Sequence, residues 1–287
     1  MRGALLLLLL ALPASSAGLD YATFARLHGR LMAGEPSKRL EDELPGLTRS
    51  LNIAREVSAR YWTSCTVFDE LAKAEILPEK VMKGLGIRRA VIGGVVHAPA
   101  GVMHTYGYLF SQLQTAYGLK GKRWIESRLD ERLGLPAHSF SPVPPQGEFA
   151  ANLTEVLLRL AGEPADVPRA ARLEPRAKPL GLVEQRVAWR TPKGRAIEAS
   201  VLTYLVPLAP LPGLKTTDDF LLIYAVRRDG RLRFTTAFPV GKAFADGIMA
   251  AQPDAETPFK PRFNLYVNPT WTQTAHQNLG WRPAGTP

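Results

Sequence analysis

The first third of the chain alternates between apolar and polar positions with the spacing of amphipathic helices. Between residues 19 and 34, Phe24, Leu27 and Leu31 fall on one helical face, and a glycine and a proline follow. Residues 47–61 repeat this pattern. The spacing therefore predicts two helices, each with one face turned toward a core.

A third helix is predicted to begin at Cys65. Thr63 and Ser64 are good N-cap residues, Val67 and later apolar residues form a helical stripe, and Pro78 marks the end. Further along the chain, four apolar side chains lie on one face of a short helix predicted for residues 150–161.

Three segments between these helices are predicted to be extended. Residues 88–96 are apolar and β-branched, as in a buried strand, and residues 104–114 are aromatic and compatible with a strand. Residues 124–130 also fit a strand, although a helix is possible there.

The second half of the chain has the pattern of antiparallel hairpins. Predicted strands at 182–190 and 196–206 flank a Pro-Lys-Gly turn, and strands at 220–228 and 231–240 flank Asp-Gly. A short strand is also predicted at 262–267, whereas the last twenty residues have no clear pattern. The fold class expected is α+β, with helices packed on an antiparallel sheet and a β-rich C-terminal region.

Four segments of different character predict the domain organisation. Residues 1–17 have an arginine, an apolar run and small residues at the cleavage position, which is typical of a secretory signal peptide. A catalytic domain is predicted at 18–161, a Pro/Arg-rich linker at 162–181 and a β-rich domain at 182–287. The expected location is secreted or periplasmic, with no transmembrane segment.

Composition narrows the possible chemistry. The 287 residues include 36 Lys and Arg against 26 Asp and Glu, for a net charge of +10, and one cysteine. A single cysteine excludes an intramolecular disulfide framework and cysteine-rich metal sites. Arginines are denser at 169–178 and 227–233, but no aromatic residues lie between them to stack on bases. Nucleic acid is therefore not an expected partner. The basic segments are interpreted as a solvated face, and an anionic wall or surface polymer is a candidate partner for it.

The candidate chemistry centres on Cys65. A cysteine at a helix N-terminus is stabilised as the thiolate, which attacks carbonyl carbons. His104, at the start of a predicted strand, is the candidate base. If residues 124–130 are extended, Glu126 and Asp130 lie on one face, which gives an acid on the neighbouring strand to orient the histidine.

These segments resemble the transglutaminase-like, papain-related superfamily of cysteine hydrolases and transferases. The resemblance covers residues 47–135 and rests on YWTSCTVF at 61–68, LGIRRAVIGG at 85–94 and HTYGY at 104–108. It implies Cys65 as nucleophile, His104 as base and Asp130 as orienting acid. Tyr106 stands where the family usually has Trp, and His104 and Asp130 are 26 residues apart, which is longer than usual. The implied activity is hydrolysis of a peptide or amide, or acyl transfer, with no cofactor.

Several alternatives remain open. Glu126 and Glu131 compete with Asp130 for the third role, and His97 competes with His104 for the second. A non-catalytic exported binding protein that recognises an anionic polymer or a protein partner is the main alternative function. A weaker one is a basic ribonuclease that uses both histidines with Lys120 or Lys122. The histidines have no paired spacing that would recommend a metal site.

Overall fold

The computed structural model describes residues 19–92, 94–142, 148–254, 258–261 and 265–285. The predicted signal peptide at 1–17 lies outside the described residues. So do parts of the proline-rich stretch at 141–147 and of the strand predicted at 262–267.

Helices dominate the first 160 residues. The α-helices are α1 (Tyr21–Met32), α2 (Leu47–Tyr61), α3 (Glu79–Gly84), α4 (Ala100–Val102), α5 (Tyr108–Phe110), α6 (Lys120–Glu126), α7 (Leu129–Arg132), α8 (Phe149–Leu160) and α9 (Lys242–Met249). A π-helical turn, Met103–Gly107, joins α4 to α5, and we call this continuous helical segment the central helix. Within the described residues, every helix is too short or too polar to cross a membrane.

Strands form one large and three small antiparallel sheets in the described residues. The strands are β1 (Ser64–Thr66), β2 (Phe68–Asp69), β3 (Ala74–Glu75), β4 (Ala90–Ile92), β5 (Val95–Pro99), β6 (Gln114–Thr115), β7 (Gly118–Leu119), β8 (Gly181–Arg190), β9 (Ala196–Pro207), β10 (Asp218–Arg228), β11 (Arg231–Gly241), β12 (Pro253–Asp254) and β13 (Thr272–Pro283). The large sheet has the order β11-β10-β9-β8-β13-β12, and the three-stranded sheet the order β1-β5-β4. This confirms the mixed α+β class with antiparallel sheets.

The elements with the clearest patterns form as predicted. The Asp20 carboxylate caps α1 by accepting a hydrogen bond from the Thr23 N–H at 2.8 Å, and Phe24, Leu27 and Leu31 are buried. The predicted hairpins correspond to β8–β9 and to β10–β11. The C-terminal segment without a pattern contains β13, which pairs with β8.

Different parts of the chain pack against the two faces of the large sheet. Tyr204, Ile223 and Phe234 point from one face into the same core as the helices of the first 160 residues. The other face carries Leu222 and Tyr224 and packs against α9 and residues near the C-terminus. The predicted catalytic and β-rich regions therefore share a continuous hydrophobic core.

The predicted linker at 162–181 packs against this core. Glu155 of α8 is fully buried and accepts hydrogen bonds from the Val167 N–H and the Arg172 guanidinium. The Asn152 side chain accepts another from the Ala171 N–H. Much of this segment is therefore held against α8.

The helix predicted to begin at Cys65 does not form. Residues 64–66 are strand β1, which pairs with β5 so that Cys65 lies opposite Ala98, and the next residues form the β2–β3 hairpin. The pairing supplies backbone hydrogen bonds between distant parts of the chain, which outweigh the local capping signal at Thr63 and Ser64.

The strand predicted at 104–114 is also wrong, because most of it belongs to the central helix. This helix is buried on all sides, so it lacks the polar face by which a surface helix is recognised. It lies close to α2 at Gly101, where a Cβ atom would come within 2.7 Å of the Ser58 hydroxyl.

Two further strand predictions need correction. Residues 88–96 contain the hairpin β4–β5 rather than a single buried strand, and Val91 is 71% exposed. Residues 124–130 are helical, in α6 and α7, so the expected alternation of side chains does not apply to them.

Candidate functional site

A cleft lies between the central helix, α6, the β2–β3 hairpin and the end of β11. Its volume is about 400 Å³. Most of its lining is apolar or aromatic, including Trp124 and Phe238, and the polar side chains of Tyr108, Lys120 and Thr236 also line it. A cavity of this size with a few convergent polar groups is typical of a small-molecule site.

The cleft opens between three exposed apolar side chains from different elements. Leu71 belongs to the β2–β3 hairpin, Tyr117 to the β6–β7 turn and Phe244 to α9, and their exposed fractions are 76%, 58% and 37%. All three line the cleft. We call them the apolar rim.

A hydrogen-bonded group of three side chains connects the central helix to β11. His104 Nδ1 lies 2.7 Å from the Ala100 carbonyl oxygen, so Nδ1 carries the proton and donates. Nε2 is therefore an acceptor, and it contacts the hydroxyls of Thr236 and, at 3.0 Å, Tyr108. The Tyr108 and Thr236 side chains line the cleft, and the imidazole is fully buried.

Lys120 is the cation closest to this group. Its ammonium donates to Asp69 Oδ2 at 2.6 Å and lies 4.5 Å from the centre of the Tyr108 ring. Burial lowers the pKa of Lys120 from its ordinary value, and the hydrogen bond and charge of Asp69 oppose this. Lys120 and Asp69 form a largely buried ion pair at the side of the cleft.

A second ion pair fixes α6 to the large sheet. The Arg123 guanidinium donates to both carboxylate oxygens of Asp218, at 2.8 and 3.1 Å, and to the Pro239 carbonyl at 2.5 Å. Arg123 lines the cleft, and its charge is compensated by a buried carboxylate.

Gly121 explains how Lys120 reaches Tyr108. A Cβ atom at Gly121 would lie 2.7 Å from the Ser111 carbonyl oxygen and 2.9 Å from that of Leu109. Only glycine therefore allows the first turn of α6 to approach the end of the central helix so closely. This approach places the adjacent Lys120 beside Tyr108.

Cys65 is the middle residue of β1, and it is fully buried. Burial raises the pKa of its thiol to about 12, although the nearby charge of Lys120 opposes the increase. The surroundings of Cys65 therefore favour the neutral thiol and lack the helix N-terminus expected for it.

His104 is also held in its neutral form. Burial lowers its pKa to about 3, and both ring nitrogens already have partners. The ring stacks on Trp62, with 5.5 Å between the centroids. A histidine that takes a proton from Cys65 would need a free Nε2, whereas here that atom accepts from Thr236 and Tyr108.

The structure does not bring Asp130, the predicted orienting acid, to His104. The carboxylate accepts hydrogen bonds from the N–H groups of Glu131, at 2.9 Å, and Phe140, at 3.4 Å. It borders a different cavity, of about 330 Å³, together with His138. The position that Asp130 was expected to fill at His104 Nδ1 is occupied by the Ala100 carbonyl.

The alternative residues lie elsewhere. Glu126 and Glu131 form ion pairs with Lys122 and Arg128 on the protein surface. His97 is buried on β5 and contacts the Tyr266 ring, with 4.0 Å between the centroids. Among the described residues, no three His, Cys, Asp or Glu side chains cluster as a metal site would require.

The arginine-rich segments are partly neutralised by acids of the protein itself. The ion pairs are Arg169–Glu56, Arg172–Glu155, Arg172–Asp166, Arg227–Glu163 and Arg228–Asp229. These contacts reduce the charge that either segment presents to an anionic polymer.

Sequence reasoning missed Asp69 and Thr236 as polar groups of one site. Tyr108 lies within the strand predicted at 104–114, yet its side chain meets that of His104 because the two are four residues apart on a helix. Thr236 follows His104 by 132 residues, and only the packing of β11 on the central helix brings them together. No local pattern marks Thr236.

Comparisons with known proteins identify no relative of this chain. No family model, no curated protein and no solved structure matches it. The resemblance to the transglutaminase-like superfamily therefore stays a prediction from the motifs.

Proposed function

We propose that this protein binds an amphipathic small molecule in the cleft beside Lys120. The observation that carries the proposal is the combination of an apolar, aromatic cavity with three polar side chains, Lys120, Tyr108 and Thr236, at one place in its wall. The apolar surface would hold the body of the ligand, and the polar groups would select its head.

The apolar rim supports this proposal. Leu71, Tyr117 and Phe244 leave apolar surface in water around the opening. Removing such surface from water is favourable by about 25 cal/mol per Å². A ligand that extends from the cleft across the rim would gain this stabilisation, whereas a small polar metabolite would not.

The state of the two candidate catalytic residues favours binding over catalysis. The Cys65 thiol is neutral and buried, and His104 is neutral with both nitrogens engaged. A nucleophile and base used in acyl transfer need the opposite arrangement, an activated thiol within reach of an accepting imidazole nitrogen.

The test is a titration with N-phenyl-1-naphthylamine, an uncharged dye that becomes fluorescent in apolar sites. We expect saturable binding to the wild-type protein. Ala243→Trp adds a large side chain to an exposed residue that lines the cleft, and it should abolish most of the binding. Ala250→Trp is the matched control, because Ala250 is exposed at the other end of α9 and does not line the cleft. Equal binding by both variants would refute the proposal.

Thiol-dependent hydrolysis or acyl transfer is the second candidate function. It is favoured by the charge of Lys120, which opposes the effect of burial on the pKa of Cys65, the single thiol of the sequence. Alkylation of native Cys65 by iodoacetamide at pH 7, at the rate of a free thiolate, would support this function.

Export is a separate proposal that rests on residues 1–17. Expression of the full chain in a bacterial host, followed by determination of the N-terminus of the mature protein, tests it. We expect cleavage after Ala17 and recovery from the periplasm or medium. An intact N-terminus on protein in the cytoplasm would contradict the proposal.

A further inference from the structure

We infer that the cleft selects a ligand whose polar head is uncharged and carries a hydroxyl group, such as a long-chain alcohol. This inference rests on the proposed function, since it concerns the ligand of the same cleft. It follows from the ion pairs that Lys120 and Arg123 already form and from the hydrogen-bonding positions that remain.

The Lys120 ammonium is compensated by a carboxylate that is itself fixed. Asp69 Oδ1 accepts hydrogen bonds from the N–H groups of Leu71, at 3.1 Å, and Ala72, at 2.9 Å, while Oδ2 accepts from Lys120. These contacts keep the pKa of Asp69 below its ordinary value although burial opposes the shift. An anionic head that binds Lys120 would therefore meet a second negative charge at close range, which is unfavourable.

The other charges near the cleft do not attract an anion either. Arg123 is paired with Asp218, and the exposed carboxylate of Glu70 also lines the cleft. Together with Lys120 and Asp69, the site has two cations and three carboxylates. A cationic head, in turn, would have to approach the Lys120 ammonium. The charges thus oppose both kinds of ionic head at the polar end of the cleft.

Hydrogen-bonding positions remain for a hydroxyl. An ammonium has three N–H groups, and Asp69 is the hydrogen-bond acceptor found for Lys120, so Lys120 can donate to a ligand oxygen. The single lone pair of His104 Nε2 can accept fully from one hydroxyl, whereas the hydroxyl oxygens of Thr236 and Tyr108 have two lone pairs each. An oxygen of this pair therefore keeps a lone pair that can accept from a ligand O–H.

Three ligands with the same ten-carbon chain test the inference: 1-decanol, decanoate and decylamine. Each is used to displace N-phenyl-1-naphthylamine from the wild-type protein at pH 7.5. We expect decanol to displace the dye at a concentration at least about tenfold lower than the concentration that either charged ligand requires. A single unfavourable charge contact would weaken binding by this much. Decanoate or decylamine binding as tightly as decanol would overturn the inference.

Two charge-removing variants test whether the paired charges of Lys120 and Asp69 cause the preference for an uncharged head. Asp69→Asn keeps the Oδ1 acceptor and leaves Lys120 uncompensated, so it should shift the preference toward decanoate. Lys120→Met keeps the length of the side chain and leaves Asp69 uncompensated, so it should shift the preference toward decylamine. If one variant fails to fold, as judged by circular dichroism, the other still decides. Unchanged ratios of the concentrations at which the three ligands displace the dye in a folded variant would overturn the inference.

Failure of the inference and failure of the proposed function have different signatures. If the dye binds but none of the three ligands displaces it, the cleft binds small molecules and the inferred class is wrong. If the dye does not bind the wild-type protein, the proposed function is wrong, and the inference is overturned with it.

Discussion

His104 Nε2 and the hydroxyl of Thr236 form a hydrogen bond between the central helix and β11, two elements that are 132 residues apart along the chain. Both side chains are buried, so this contact replaces the water that either group would otherwise bind. Tyr108 adds a second hydroxyl to the same nitrogen. These hydrogen bonds thus connect the wall of the cleft to the core shared by the helices and the large sheet.

The first prediction concerns the redundancy of the two hydroxyls. Thr236→Val or Tyr108→Phe alone should lower the free energy of unfolding by about 1 kcal/mol, because the remaining hydroxyl still satisfies Nε2. The double variant leaves a buried nitrogen without a donor and should lose more than the sum of the single losses. Urea unfolding of the four proteins measures this coupling. Additive losses would show that the two hydroxyls do not share His104.

The second prediction is a dependence of stability on pH. Folded His104 binds a proton only near pH 3, whereas the unfolded chain binds it at the ordinary value of 6.5. The unfolded state therefore holds more protons between these values. The contribution of His104 to the free energy of unfolding is full above pH 6.5 and falls as the pH decreases toward 3. The slope is at most about 1.4 kcal/mol per pH unit.

Unfolding of His104→Gln at several pH values isolates this contribution. The difference in stability between the wild type and the variant should shrink as the pH falls from 6.5 to 4. His138→Asn, at an exposed loop residue, is the control and should follow the wild-type profile. A constant difference between the wild type and His104→Gln would mean that the imidazole is protonated in the folded protein.

The third prediction is that Gly121 is required for the geometry of the cleft. Gly121→Ala places a Cβ atom against backbone carbonyls of the central helix, so it should lower the free energy of unfolding by about 1 to 3 kcal/mol. It should also weaken dye binding, because α6 carries Lys120. Gly247→Ala, in α9, is the control: its Cβ would meet no atom within 4 Å, and helix propensity predicts a gain of up to about 1 kcal/mol.

The fourth prediction concerns the segment at 162–181. Glu155 binds Arg159, Arg172 and the Val167 N–H, so Glu155→Ala removes the contacts that hold this segment on α8. We expect a loss of roughly 2 to 3 kcal/mol in the free energy of unfolding and faster proteolysis within the segment. Glu174→Gln is the control, because Glu174 is 72% exposed and its ion pair with Arg159 should contribute little. Equal cleavage rates in both variants would mean that the segment behaves as a free linker.

The sequence predicted the elements whose local signals agree with their tertiary surroundings. Helix α2 has the predicted bounds, and the Asp229-Gly230 turn joins β10 to β11 as expected. The central helix was predicted as a strand, because a segment buried on every side has the same continuous apolar pattern in either conformation. The segment at Cys65 was predicted as a helix, because its partner β5 lies more than thirty residues away and leaves no local signal.

The candidate site was predictable only in part. Cys65 and His104 were expected to act together; the structure places His104 in hydrogen-bonding contact with Tyr108 at the wall of the cleft, and Cys65 is buried on β1. Their chemical states were not predictable, since complete burial, rather than residue type or spacing, determines both pKa values. The resemblance implied Asp130 as the orienting acid, but Asp130 lies in helix α7, where its carboxylate accepts from backbone N–H groups and not from His104.

The last prediction concerns Cys65. Burial keeps the folded thiol neutral up to a pH of about 12, whereas the thiol of the unfolded chain ionises near 9.0. Above pH 9 the unfolded state has lost a proton that the folded state keeps, so the free energy of unfolding should fall as the pH rises. Cys65→Ala should remove this contribution at the cost of about 1 kcal/mol for the lost sulfur contacts. Comparison of the two proteins cancels the titration of lysines and tyrosines common to both.

Alkylation provides an independent measurement of the same property. Native protein should react with iodoacetamide only as fast as it opens, and the thiol should become fully reactive in urea. Addition of a cleft ligand should slow the reaction further if opening at Lys120 and Tyr108 is the route to the sulfur. Rapid modification of the folded protein at pH 7 would contradict the buried, neutral thiol and would favour the acyl-transfer function, because only an activated thiolate reacts at that rate.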